Sequence, residues 1–296
     1  MNTIVLTRRR AAIGTYLELL KPRRTLMVVL TAVVGALLAS GEGLDMRIFA
    51  HLILGVFFAA GGANALNQYL ERDADAQMKR TRRRPLPSGR MLSEQALLFS
   101  IGVTLMGVLQ LTYFINLLTG LLGMIAVITY VFLYTPLKSR TSNCILIGAV
   151  SGAIPPMIGW AAFRAELSVG GWILFMILFL WQMPHFLSLL FLLRDDYRRA
   201  GYPMHRLTHH GGSFARKMIV VYLVLLILAS ILPVIYRLSG PIYCFGTIVM
   251  DLCFLGLGIA ALLSHTAKVL AYAKRLFNFS ILYLMIIMIL LVLDKI

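Results

Sequence analysis

Nine uninterrupted apolar stretches, each long enough to cross a ~30 Å hydrocarbon layer as a helix of about 20 residues, divide this sequence and constrain it more than any other feature. They lie near Thr25–Ser40, Ile48–Asn67, Gln95–Tyr113, Leu117–Tyr134, Cys144–Phe163, Val169–Leu190, Lys217–Tyr236, Pro241–Leu262 and Leu276–Leu293. In lipid, backbone polar groups must be satisfied within the segment itself. That leaves helices, because barrel strands are shorter and alternate with period two. The expected fold class is all-α: a polytopic membrane protein whose nine transmembrane helices bundle around a central cavity, with residues 1–24 as a flank and 25–296 as a single transmembrane domain.

The composition agrees, with 59% of residues hydrophobic and 14% charged, against about 25% charged in soluble domains. A formal net charge of +16 would suggest nucleic acid in a soluble chain, but the charges are placed for topology. Of the 28 Lys and Arg, 24 fall before span one or after spans two, four, six and eight; the other side keeps Arg47, Arg164, Arg237 and Lys295. The positive-inside rule predicts a cytoplasmic N-terminus and an outside C-terminus, and no nucleic-acid partner is expected. Cys144, Cys244 and Cys253 have no paired spacing and are expected to be buried small hydrophobes. The first 24 residues carry Arg8–Arg10 and Arg23–Arg24 without a signal-peptide pattern, so a retained topogenic flank is expected. Without a Ser-rich presequence, a bacterial cell membrane is favoured over a mitochondrial one.

Spans two and six run into loops that hold five of the twelve acidic residues. The first begins Asn67-x-x-x-Glu71-x-x-x-Asp75. Steps of four advance a helical side chain by only ~40°, so these oxygen donors line one face. A hard cation such as Mg²⁺ takes oxygen ligands and often uses one or two carboxylates plus substrate phosphates. A solvated juxtamembrane helix would carry the same acids. The basic run from Lys79 to Arg90 follows at once. Most of such a run serves topology and anionic lipid, yet arginine forks also match phosphate oxygens and stabilise a diphosphate leaving group. Arg80 and Arg84 are the preferred pair. The second loop carries Asp195-Asp196, adjacent carboxylates that repel unless a cation lies near. Two acidic loops at one membrane face can enclose a metal-bridged diphosphate whose lipid tail lies between the helices.

These blocks resemble the UbiA-type intramembrane prenyltransferase superfamily and, within it, the protohaem IX farnesyltransferases. The likeness covers most of the chain. Its anchors are the Asn67–Glu71–Asp75 stripe with Arg80 and Arg84, Tyr134-Thr135-x-x-Lys138, Pro155-Pro156-x-x-Gly159-Trp160, Trp181-x-x-Pro184-His185-Phe186, and Asp195-Asp196-Tyr197 with Gly201, Pro203 and Met204. Glu71 stands where the superfamily usually has Asp, and His205-Arg206-Leu207 departs from the family's usual Leu-Pro. The resemblance implies a prenyltransferase domain moving farnesyl from farnesyl diphosphate to the 2-vinyl group of haem B, with addition of water, to make haem O for terminal oxidases. It implies Mg²⁺ held by Asn67, Glu71, Asp75, Asp195 and Asp196, with Arg80, Arg84 and Lys138 as cationic helpers at the cytoplasmic side. A haem A synthase and oxidase assembly proteins are the partners it implies beyond lipid and substrates.

His185, inside span six beside Pro184, is a functional candidate because intramembrane ionisable groups are costly, and neutral imidazole is a common haem-iron ligand. A histidine near a helix break also serves to bond freed backbone. His209-His210 is expected to be solvated. Tyr130, Tyr134 and Trp181 can line a cation-stabilising cavity or simply pack helices. Asp251 falls within span eight but is expected nearer the outer interface, where a carboxylate costs less. Rival readings are a prenyltransferase with another aromatic or tetrapyrrole acceptor, and a transporter, whose charges would sit at mid-membrane rather than at one face.

Overall fold

The computed structural model describes residues 13–41 and 43–296, without the side chains of His210 and Thr266. Arg8–Arg10 and the rest of residues 1–12 lie outside the described residues. Among those described, nine helices are long and apolar enough to span a membrane. They are α1 (Pro22–Ala39), α2 (Met46–Leu70), α3 (Ser93–Phe114), α4 (Leu117–Leu137), α5 (Cys144–Arg164), α6 (Val169–Leu192), α7 (Ser213–Ile235), α8 (Pro241–Leu263) and α9 (Val269–Leu293). No sheet is present among the described residues, only an isolated bridge between Ser239 and Lys295.

Helix starts follow local chemistry. Asp45 caps α2 by accepting from the Arg47 and Ile48 N–H groups, and Asn116 caps α4 through the Thr119 N–H. Pro22 opens α1 at the first helical position, where its missing N–H costs nothing. The sequence-based start of α9 at Leu276 is too late by seven residues, because Lys274 and Arg275 end the apolar run. Both are exposed while Ala273 and Leu276 are buried, so the charges ride the outer face of a continuous helix.

Two irregularities shape the interior. The fifth span is two helices, Cys144–Ala153 and Pro155–Arg164, divided where Pro155 lacks an N–H. Its second half lies against α1 backbone to backbone: a Cβ on Gly159 would fall 1.8 Å from the Ala32 carbonyl oxygen. Small residues allow such approach in membranes. The fourth span passes through a π-helical turn, Thr129–Tyr134, before its last residues Thr135–Leu137. Such turns re-aim side chains and are frequent at functional sites.

The alternating crossings gather the α2–α3, α4–α5, α6–α7 and α8–α9 connections at one end, with the start of α1. There Gln68 Nε2 donates to Leu19 O, and Arg216 donates to the carbonyls of Ala261, Leu262 and Ser264 that close α8. At the other end Lys295 Nζ donates to Leu37 O and Gly41 O.

Two expectations are corrected. Asp251 does not lie at an interface: it is buried within α8, accepting from Ser230 Oγ at 2.6 Å and Tyr283 OH at 2.7 Å, while the Tyr243 OH donates to Ser230 O. Hydroxyls from α7 and α9 supply the partners that a membrane carboxylate requires, which a one-dimensional reading of span eight misses. Cys144 is buried, but Cys244 is half-buried and Cys253 exposed, because they turn towards the outer surface of α8.

Candidate functional site

The chain bends at the end of α2 without losing its helical register. Glu71, at φ −94° and ψ 9°, begins a short second helix, Arg72–Gln77, yet its N–H still donates to Asn67 O and Asp75 N–H to Glu71 O. Asn67, Glu71 and Asp75 therefore keep one face, as their spacing predicts, and all three are buried. Each meets a cation or hydroxyl from elsewhere. Asn67 Oδ1 accepts from Lys21 Nζ and its Nδ2 donates to Thr135 Oγ1, both at 3.2 Å. Both Glu71 carboxylate oxygens accept from Lys138 Nζ at 3.0 Å. Asp75 Oδ2 accepts from Arg84 Nη1 at 2.5 Å.

The loop after Asp75 folds back to make the last contact. Thr81 Oγ1 donates to Asp75 O, and Arg84 N–H donates to Thr81 O, which returns the Arg84 guanidinium over the carboxylate. Arg90 holds the outside of this loop through a paired hydrogen bond to Glu18. Lys138 arrives through the π-helical turn, stabilised by the Thr135 hydroxyl donating to Tyr130 O. Its ammonium lies 4.9 Å from the Tyr202 ring centre and 5.8 Å from that of Tyr197. Burial pulls the pKa of Lys138 down, but Glu71 and the surrounding tyrosines push it up by more, so it stands well above the ordinary lysine value.

The second acidic loop joins the first. Asp196 Oδ1 accepts from the Lys79 main-chain N–H at 3.0 Å and from Arg199. Burial raises the Asp196 pKa; the hydrogen bonds from Arg199 and Lys79, with the nearby Arg80 charge, outweigh it and hold the carboxyl below its ordinary value. Asp195 does not join this cluster: it is exposed and pairs with Arg198 at 3.4 Å. Adjacent helical residues point ~100° apart, so only one of the two can face the first loop.

Positive charge accumulates on the rim. Loss of hydration and the neighbouring charges of Arg84 and Arg24 lower the pKa of Lys21 well below the usual value. Arg80 is lowered by the same three causes, and it forms no ion pair among the described residues. Cations that raise one another's energy in this way attract a polyanion. A groove of about 410 Å³ opens beside Lys21, lined by Glu18, Lys21, Pro22, Arg23 and Arg24. Sequence reasoning missed Lys21, whose one signal was a lysine directly before the Pro22 that opens α1.

Two more predicted residues lie within the spans themselves. Tyr134 is half-buried in the π-helical turn and stacks on Tyr130, with ring centres 5.6 Å apart. His185 stands inside α6, about two turns before its end at Leu192, with its Nδ1 2.7 Å from Ser280 Oγ.

Among the described residues no three His, Cys, Asp or Glu side chains form a metal cage by themselves. The donor set fits a different arrangement. Asp75 Oδ1 is buried with no hydrogen-bond partner, an oxygen that costs about 1–3 kcal/mol to leave unmet. A hard cation sharing one or two carboxylates with phosphate oxygens satisfies it.

The chain belongs to the UbiA prenyltransferase family, whose sequence profile matches residues 28–292. A protoheme IX farnesyltransferase of Myxococcus xanthus (strain DK1622) is 40% identical over 283 residues, covering 95% of this chain and 94% of that protein. One from Legionella pneumophila (strain Paris) is 40% identical over 280 residues, 94% of each. Among solved structures, a digeranylgeranylglyceryl phosphate synthase superposes with a TM-score of 0.80 at 19% identity, over 95% of this chain and 98% of that one. A UbiA homolog from Archaeoglobus fulgidus bound to GPP and Mg²⁺ superposes with a TM-score of 0.67 at 15% identity, over 92% and 99%.

Proposed function

We infer that this protein transfers the farnesyl group of farnesyl diphosphate to the 2-vinyl group of haem B, with addition of water, to give haem O. The observation that carries the donor half is the unpartnered buried oxygen of Asp75 beneath a rim of mutually repelling cations. The acceptor half is supported by two relatives, each 40% identical over nearly their whole length, that are named for protoheme.

In this reading Asn67, Glu71, Asp75 and Asp196 hold Mg²⁺, which when bound supplies Lewis-acid neutralisation of the diphosphate charge. Arg80, Arg84 and Lys21 bind the diphosphate oxygens and stabilise the leaving group as the C1–O bond breaks. Lys138 holds the Glu71 carboxylate aimed by bonding both of its oxygens. Tyr130 and Tyr134 present ring faces to the allylic cation. The terminal vinyl carbon of haem attacks farnesyl C1 to form the new C–C bond. The resulting cation beside the porphyrin takes a water oxygen and loses a proton, and pyrophosphate departs. Apolar helices around the farnesyl chain exclude stray water from the first cation.

The rim carries the basic connections, and the excess of Lys and Arg there supports its placement at the cytoplasmic face of a bacterial cell membrane. The test is pyrophosphate release by purified protein in lipid. It is expected to require haem B, farnesyl diphosphate and Mg²⁺ together; release that ignores haem B removes the acceptor assignment.

A further inference from the structure

Resting on haem B as the acceptor, a second site can be read from the contact between α6 and α9. The His185 ring is held on both faces, by Trp181 at 5.0 Å and Phe277 at 4.8 Å between ring centres, both near parallel. Its Nδ1 lies 2.7 Å from Ser280 Oγ, and that hydroxyl lies 2.6 Å from Phe277 O. Serine has one proton to donate. Donated to the Phe277 carbonyl, which can only accept, it leaves Oγ as the acceptor for His185. The imidazole then carries its proton on Nδ1, and Nε2 keeps its lone pair.

Among the described residues no hydrogen bond is made to Nε2, so the one basic nitrogen of this ring has no partner there. Ser280 is fixed in turn, because Trp181 Nε1 donates to its main-chain oxygen at 2.7 Å. One nitrogen bonded to a fixed acceptor, the ring plane clamped and the other nitrogen left open is the arrangement that orients a metal-ligating histidine and raises its basicity.

We propose that His185 Nε2 is an axial ligand to the iron of the porphyrin acceptor, and that Ser280 is the positioning residue that sets its tautomer. The iron is thereby anchored among the apolar parts of α6 and α9, while the diphosphate is held at the polar rim. The two substrates reach the reaction from different depths of the bundle.

Haem B titrated into the purified protein in lipid nanodiscs, without farnesyl diphosphate, tests this by absorbance and by resonance Raman of the ferrous complex. The wild type is expected to give a histidine-ligated spectrum, and His185→Ala to lose it. Ser280→Ala is expected to keep histidine ligation, weaken haem affinity about tenfold and lower the iron–histidine stretching frequency, since Nδ1–H loses its acceptor. A histidine-ligated spectrum that persists in His185→Ala overturns the proposal, as does a Ser280→Ala protein with wild-type affinity and frequency. Should His185→Ala not fold, the smaller Ser280→Ala change decides alone. A wild type that binds no haem B overturns the acceptor reading itself, whereas wild-type binding without a histidine signature overturns only this ligand.

Discussion

Lys138 Nζ stands 3.0 Å from both carboxylate oxygens of Glu71, across 67 positions of sequence. Both side chains are about nine-tenths buried. This pair fastens the end of α4 to the end of α2 and fixes the middle carboxylate of the acidic stripe.

Lys138→Met leaves Glu71 buried without its counter-ion and is expected to lower stability by about 3–5 kcal/mol, read as a fall in Tm in detergent. The pH dependence has a definite sign. Because the folded pKa of Lys138 is raised, its contribution is complete below the ordinary lysine value and is lost as pH rises through the higher folded one. Thermal stability should be insensitive to this pair between about pH 6 and pH 9 and decline only in stronger base.

Asp75→Asn preserves size and helix register but removes the charge that faces Arg84 and the unpartnered oxygen. Turnover is expected to fall by about 10²–10³-fold, because the cation that would neutralise the leaving diphosphate loses a charged ligand. Size-exclusion behaviour and helical content should match wild type, and steady-state rates across Mg²⁺ concentrations provide the check.

Asp196→Ala cuts the tie between the two acidic loops by removing the acceptor of the Lys79 N–H. A hydrogen bond to a charged group contributes about 1.5–3 kcal/mol, so amide exchange at Lys79 should accelerate by about tenfold or more. Asp195→Ala, removing only an exposed pair, is expected to leave that exchange unchanged.

Asp251→Ala removes the carboxylate that joins α7, α8 and α9 through Ser230 and Tyr283. Interhelical hydrogen bonds in membranes average about 0.6 kcal/mol, so the loss should be about 1 kcal/mol, seen as a small fall in Tm. Activity per folded molecule is expected to be unchanged, since neither partner belongs to the acidic rim.

The spans and the acidic stripe were legible because each depends on local pattern: apolar length for the helices, and the i, i+4 spacing that survives the bend at Glu71. What escaped depends on contacts between distant segments. Nothing in one dimension says that a π-helical turn delivers Lys138 onto Glu71, or that Lys21 reaches Asn67. Asp195 and Asp196 read alike in sequence, and only the direction of their short helix separates the residue that meets Lys79 from the one that meets solvent. Asp251 was misjudged for the same reason, since its cost in the membrane is met by hydroxyls 21 and 32 positions away. His185 stood out, but the serine that sets its proton lies 95 positions away.

The most direct test of the account is the mass of the porphyrin recovered after incubating the reconstituted protein with haem B, farnesyl diphosphate and Mg²⁺. A gain of one farnesyl group and one hydroxyl is the predicted result. Recovery of unaltered haem B, under conditions where a relative named protoheme IX farnesyltransferase converts it, would contradict the account.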